Sequence, residues 1–457
     1  MVGTTRGIAF LCAVLSLGVS LRAAAGVVDA PAVDLEVSLI TYGPGAIYWE
    51  RFGHDAIRIR DRVSGESAEF NYGVFDFEEK NFLWNFARGH MRYMIDVEPS
   101  DIDQQDYVDA GRSVVDQRLA LSAAQAERLR MFLLWNLRPE NVGYDYDYLT
   151  SNCATRVRDV LNSTLDGALQ VAFVARRAPM TYRQQIDRLM SAQPWMMLAM
   201  DLGLGPSADH PLNEWQESFL PMVLEREVRS VRIPDGRGGV KPLVVSEHEI
   251  APNRLKPPRP LPPNLNAPFG ITGLALAATM LALRRRYPVL YASLGAAYLV
   301  LAGILGTVLL ALWTLTTHYA AWANANLFIF NPVAFAMLGS IWHTRTGMRG
   351  GRLARVLVAL QVAAAFVGLL LHFLGVLRQQ NLPWLLLATP VWLAIATGLY
   401  ATASSGHSRP KSGGRVPKQA HGLRESKWPT TWHVSEWAAD RASHRHQPKL
   451  AAPQRVR

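Results

Sequence analysis

A cysteine that opens a helix and a histidine that opens a strand are the residues of this chain best suited to nucleophilic chemistry. Cys153 lies in the run Tyr148-Leu-Thr-Ser-Asn-Cys-Ala-Thr-Arg-Val-Arg-Asp159. The only other cysteine, Cys12, falls in an N-terminal segment with the parts of a removable export signal. An unpaired thiol sent to an oxidising compartment is a liability unless its reactivity is used, which makes Cys153 a candidate nucleophile. Thr150, Ser151 and Asn152 are capping residues, so Cys153 is expected in the first turn of a helix running to Leu165. Unpaired amides and the helix dipole favour negative charge there. An imidazole beside the sulfur would make nucleophile and base one unit, and Gly53-His54-Asp55, at the head of a strand, is its leading source. Asp55 and Asn152 are candidates to orient the imidazole or to donate to an oxyanion. The plainer alternative makes Cys153 a small packed hydrophobe and His54 an ordinary polar strand residue.

Other chemistries find less support. His90, His210 and His248 are scattered without metal-ligand spacing, and there is no HExxH, GxSxG or P-loop pattern, so no metal and no cofactor is expected. The formal net charge of +10 invites a nucleic-acid reading, but its distribution opposes one. Residues 404–457 hold eleven Lys and Arg against three acids, in a stretch rich in Ser, Gly, Pro and His. Such a segment buries too little to fold and reads as a disordered basic tail beside anionic lipid.

The elements that must position these residues divide the chain. Residues 1–25 form the export signal, with Arg6 ahead of the apolar run Ile8 to Val19. Residues 26–250 read as a mixed domain. Strands are expected at Asp34–Tyr42, His54–Arg60 and Phe70–Phe77, and capping boxes at Ser122–Gln125 and Thr181–Gln184 open two helices. A hairpin is expected from Val228–Ile233 and Pro242–Ser246 around Asp235-Gly236. Seven prolines between Ala251 and Pro268 mark residues 251–266 as a stiff extended linker. Residues 267–403 are almost wholly apolar and give five spans, Ala267–Leu283, Val289–Leu315, Leu327–Trp342, Val356–Leu377 and Leu382–Ala403. Arginines cluster after the first span and between the third and fourth, which places those loops and the tail of residues 404–457 in the cytoplasm. The soluble domain and the loop at His318 then share the outer face. His318, Asn324 and Asn326 are there the polar groups best placed to cooperate with the site from below, or to cap the third span. His372, within the fourth span, is a functional candidate because ionisable groups are rare in the membrane.

Several of these motifs share one family pattern. Phe52-Gly-His-Asp-Ala-Ile-Arg-Ile59, Asn71-Tyr-Gly-Val-Phe-Asp-Phe77, Phe86-Ala-Arg-Gly89 with Tyr93, Asn152-Cys-Ala-Thr-Arg-Val-Arg-Asp159 and Phe219-Leu-Pro221 resemble, in this order, the Lnb N-terminal periplasmic domain. The resemblance continues at Thr317-His-Tyr-Ala-Ala-Trp-Ala-Asn-Ala-Asn-Leu327 and Asn331-Pro332. It implies an α+β, papain-like (NlpC/P60-like) fold in permuted order, histidine before cysteine, followed by an all-α membrane domain in the bacterial inner membrane. It also implies the Cys153–His54 dyad and transfer of an acyl chain from phospholipid, through a cysteine thioester, to the α-amine of a lipoprotein. A cell-envelope hydrolase using the same dyad, and a non-catalytic membrane scaffold, are the alternatives.

Overall fold

Two kinds of hydrophobic pattern build this chain: short alternating or doubly buried stretches up to Ala251, and long continuous ones after Leu265. The computed structural model describes residues 34–76 and 78–401; the export signal, Phe77 and the basic tail lie outside the described residues. Among the described residues nine strands form: β1 (Leu35–Tyr42), β2 (His54–Asp61), β3 (Ser67–Val74), β4 (Arg92–Pro99), β5 (Val114–Leu119), β6 (Gly143–Asp145), β7 (Arg232–Pro234), β8 (Val240–Pro242) and β9 (Val244–Ala251). Seven of them make one antiparallel sheet in the order β6-β4-β3-β2-β1-β5-β9. The helices of this part are α1 (Phe82–Arg88), α2 (Ser100–Asp109), α3 (Ala123–Asn136), α4 (Cys153–Thr164), α5 (Ala168–Val174), α6 (Tyr182–Met190), α7 (Pro194–Gly203), α8 (Glu214–Glu217) and α9 (Pro221–Val228).

The central strands are covered on both faces, as their side chains require. Successive residues of a strand point to opposite faces. Val37, Leu39, Ile57 and Tyr72 therefore meet Leu133 of α3, Val157 and Leu161 of α4 and Leu224 of α9. Ile40, Tyr42 and Ala56 meet Tyr107 of α2 on the other side. The result is an α+β sandwich with the sheet in the middle. Both expected capping boxes form, at Ser122 with Gln125 and at Thr181 with Gln184.

Three expectations need correction. β3 spans Ser67–Val74 and shifts register between Tyr72 and Val74, where Gly73 adopts φ +100°. Val228 closes a helix instead of opening a strand, because Pro221 starts α9 and Val223, Leu224 and Val228 form its buried stripe. Only Arg232–Pro234 and Val240–Pro242 pair as the hairpin, and Val244 onward joins the large sheet beside β5. The proline-rich linker carries no regular structure, yet it is not a free spacer. It lies along the soluble domain, with Arg254 N donating to Gly111 O at 2.9 Å and Arg188 Nη1 to Arg259 O at 3.2 Å.

Beyond the linker, five segments are long and apolar enough to cross a membrane: α10 (Asn266–Arg286), α11 (Pro288–Leu315), the stretch Tyr319–Thr346, α13 (Arg352–Phe373) and α14 (Leu382–Tyr400). Four are continuous helices. The third is broken into 3₁₀ turns at Tyr319–Ala321, Ala325–Phe328, Pro332–Met337 and Thr344–Thr346, with one short helix, α12 (Leu338–His343). Irregular backbone at membrane depth persists only where protein satisfies it. Here Gln361 Nε2 donates to Phe328 O at 2.6 Å and Trp392 Nε1 to Ile329 O at 3.0 Å.

Candidate active site

The site is assembled where the first turn of α4 meets the ends of β2 and β3. Asn152 is the N-cap of α4: its Oδ1 accepts from Thr155 N at 2.9 Å, and Thr155 Oγ1 accepts in return from Asn152 N at 2.8 Å. The Asn152 amide donates to Tyr148 O at 3.0 Å and Phe219 O at 2.9 Å. That side chain is therefore engaged in fixing the helix start. Upstream, Asp147 Oδ1 accepts from the amides of Leu149 and Thr150 and from the Thr150 hydroxyl, which shapes the turn leading to the cysteine.

Cys153 is the free thiol of the described residues and is half-buried. Burial pushes the thiol up to about 12, and the nearby Asp55 adds to the rise. Hydrogen bonds from the backbone amides of Asp55 and Ala154, and the charge of Arg112, act in the opposite sense. At neutral pH a thiol held near that value is ionised in only roughly one molecule in 10⁵. A proton acceptor close by is thus a chemical requirement for attack.

His54 stands at the start of β2, one residue before the amide that bonds the sulfur. Gly53, at φ +84°, allows the chain to turn into the strand there, and a side chain at this position would press on Met222 and on the Tyr42 carbonyl. The imidazole is buried, with Nε2 2.9 Å from Asn71 Oδ1, and lies stacked near the rings of Tyr42 and Tyr107 at 6.0 and 5.9 Å between centroids. Asn71 is held in turn by Asp103, its Nδ2 donating to Oδ2 at 2.8 Å. Tyr42 bonds to Glu69, whose carboxyl burial raises to about 8, so this layer carries less negative charge than its acids suggest. Two residues beyond Asn71, Gly73 leaves the room that α4 uses. A β-carbon built on Gly73 would lie 3.6 Å from that of Cys153.

The other expected residues sort differently. Asp55 alternates with His54 along β2 and turns to the opposite face, where Oδ1 accepts from Thr41 Oγ1 at 2.8 Å. It therefore does not orient the imidazole. Its burial raises the carboxyl well above the ordinary range. Asn324 and Asn326 do not line the site, because their amides clamp α7 onto the membrane part. Asn324 Nδ2 donates to the carbonyls of Leu202 and Gly203, both at 2.9 Å, and Asn326 Nδ2 to Leu202 O at 3.0 Å. Gln379 and Asn381 donate to their oxygens at 3.0 Å, which closes the network.

His318 does reach the neighbourhood of the site. Its Nε2 lies 3.0 Å from Phe86 O, and its ring stacks at 6.0 Å on Tyr148. Tyr148 meets Tyr146 at 5.8 Å, and Tyr146 packs with Cys153 against the same hydrophobic core. His372 lies elsewhere, in a cavity of about 380 Å³ shared with Asp187, Asp201 and Leu382. Among the described residues no three His, Cys, Asp or Glu side chains gather as metal ligands.

Two residues escaped the sequence reading. Asn71 carries a usable signal, an amide between the aromatic residues Phe70 and Tyr72 of a strand. Arg112 has none. It is buried, with Nε donating to Gly43 O at 2.7 Å and the guanidinium 4.5 Å from the centre of the Tyr107 ring.

The soluble and membrane parts meet just below this centre. Tyr319 donates to Asp147 Oδ1 at 3.1 Å, Trp384 Nε1 to Asp201 Oδ2 at 2.7 Å, and Thr317 N to Arg88 O at 2.9 Å. The cysteine loop thus rests directly on the outer ends of the spans. Comparison with known families agrees with this two-part build. The family model of the Lnb N-terminal periplasmic domain matches residues 28–188, and that of the Lnb transmembrane domain matches residues 263–405. No curated protein and no solved structure matches the chain. With both halves matched in order, over about two thirds of its length, the chain belongs to the Lnb family as a multi-pass membrane protein.

Proposed function

We propose that this protein is a cysteine acyltransferase of the bacterial inner membrane, with its soluble domain in the periplasm. It moves a fatty acyl chain from phospholipid to the N-terminal amine of a lipoprotein. The observation that carries this reading is the Cys153 sulfur, bonded by the amide after His54 and held over the membrane-facing loop at Tyr319. The imidazole takes the thiol proton, and the thiolate adds to the ester carbonyl of the lipid. Collapse of that adduct breaks the ester C–O bond, and the imidazolium gives its proton to the departing lysophospholipid oxygen. The acyl group now waits as a thioester, which divides one difficult transfer into two. The neutral amine attacks next, the imidazole accepts its proton, and the C–S bond breaks to restore the thiol. Asn71 holds the ring in position for both proton transfers. A nucleophile fixed beside the outer leaflet meets both membrane-anchored substrates at high effective concentration.

Incubation of the purified full chain with labelled phospholipid and a diacylated lipopeptide tests the assignment. The expected result is a fatty-acyl mass adduct on Cys153, released by hydroxylamine, followed by N-acylated peptide. Cys153→Ser should lose both. Labelled free fatty acid without N-acylated peptide would mean hydrolysis, and full activity of the Cys153→Ser protein would remove the thioester altogether.

A further inference from the structure

Helix α1 exposes what a water-facing helix should hide. Leu83 is 77% and Trp84 64% exposed, side by side on a helix only seven residues long. Paired large apolar side chains on a surface call for a partner. The position of α1 names one. Its last turn is bonded to the residues that follow the second span: Thr317 N and Oγ1 both donate to Arg88 O, at 2.9 and 3.1 Å, and the His318 ring meets Phe86 O. The end of that span carries exposed Trp313 and Leu315, and Trp322 beside it bonds Thr316 O through its indole. Tryptophans gather at the membrane–water boundary, where the ring is apolar and its N–H is wet. Helix α1 is therefore tied to the protein at the level of the outer leaflet. Exposed Arg88, one turn from Trp84, stands where a head-group phosphate would meet a cation.

The inner side of the same helix leads toward the sulfur. Phe82 and Phe86 stack 6.3 Å apart, Phe86 meets Tyr148 edge-on at 6.5 Å, Tyr148 meets Tyr146 at 5.8 Å, and Tyr146 and Cys153 pack against the same hydrophobic core. The row is apolar at the membrane end and gains hydroxyls toward the thiol.

We propose that α1 is an interfacial helix whose Leu83 and Trp84 are immersed in the outer leaflet, and that its inner aromatic face guides a lipid acyl chain from the bilayer to Cys153. The immersion stands on geometry alone, whereas the guiding role rests on the acyl-transfer reading. The two are separable by experiment. A nitroxide attached at Leu83→Cys in the full-length Cys153→Ser protein, reconstituted in phosphatidylethanolamine and phosphatidylglycerol vesicles, should collide with dissolved oxygen more than with a water-soluble nickel chelate. A label at Ala110→Cys should show the opposite preference. Equal preference at the two positions would overturn the immersion.

For guidance, Trp84→Asp in the Cys153 protein should lower the rate of acyl-adduct formation from vesicle phospholipid at least tenfold relative to that from a water-soluble short-chain ester. An unchanged ratio would overturn it. If the unsubstituted protein forms no adduct with either donor, the acyl-transfer reading falls and guidance falls with it, while the nitroxide result still decides where α1 lies.

Discussion

Removing Asn71 probes the proton chemistry without touching the nucleophile or the base. In the resting protein Asn71 Oδ1 lies 2.9 Å from His54 Nε2, and both side chains are buried, so water does not replace the bond when it is lost. A hydrogen bond to a charged group contributes about 1.5–3 kcal/mol, and the imidazolium formed during attack is such a group. The neutral ring also donates to Asn71 through Nε2, a bond of about 0.5–1.5 kcal/mol. With 1.4 kcal/mol per factor of ten, Asn71→Ala should therefore cut the thiolate–imidazolium form, relative to the neutral pair, by roughly 5- to 12-fold. The sign follows from which form holds the stronger bond. Asn71 stabilises the protonated ring, so its loss lets the ring give up its proton at lower pH. The rate of Cys153 alkylation by iodoacetamide, followed by intact mass from pH 5 to 10, should therefore show a lower neutral plateau. Reactivity carried by thiolate alone would begin only toward the high range set by burial of the sulfur. A thermal midpoint close to that of the parent protein would show that the variant is folded. A folded Asn71→Ala protein with an unaltered alkylation profile would refute the ion-pair argument.

Two further predictions concern stability. Burial and the neighbouring Asp201 hold the Asp187 carboxyl up to about 8, against an ordinary 3.8. The folded state then keeps a proton that the unfolded state has released, so this residue's contribution is complete below pH 4, declines as pH rises through about 8, and is level above. Asp187→Asn should flatten the fall in thermal midpoint between pH 5 and 8, and an identical slope in both proteins would count against it. In the membrane part, Gly306 of α11 faces the backbone of Asn331, and a β-carbon there would overlap it. Gly306→Val should cost about 1–3 kcal/mol or more, seen as a lower midpoint in detergent. Gly339→Ala, which meets open space, should cost much less, and equal losses would contradict the packing described.

How much was legible beforehand follows from the range of the interactions involved. Cys153 at a helix start, the boxes at Ser122 and Thr181, and the five apolar segments depend on neighbours within a turn or on composition, and each was visible in the sequence. Asn71 could be placed beside His54 only by knowing the register of β2 on β3, where Ala56 faces Asn71. Arg112 reaches the site from the far end of α2 through contacts that no spacing announces. The amides of Asn324 and Asn326 looked available because their partners, the carbonyls ending α7, lie more than a hundred residues away. Val228 misled for a local reason: a β-branched residue before Val231 and Ile233 suggests a strand, but the buried stripe of α9 claims it. The third apolar segment looked like a short helix, and only tertiary donors make its interruption tolerable.

Those donors bear on how the protein is made. Ala325 N, Phe328 O and Ile329 O find their partners in Gln379, Gln361 and Trp392, all of which are synthesised later than the groups they satisfy. During biogenesis the broken stretch leaves the ribosome before any of them exists. It must stay helical, or remain sheltered by the insertion machinery, until the last two helices arrive. A nascent chain truncated ahead of Gln361 should therefore be held back from lipid, and its release marks the moment at which the membrane half acquires its final shape.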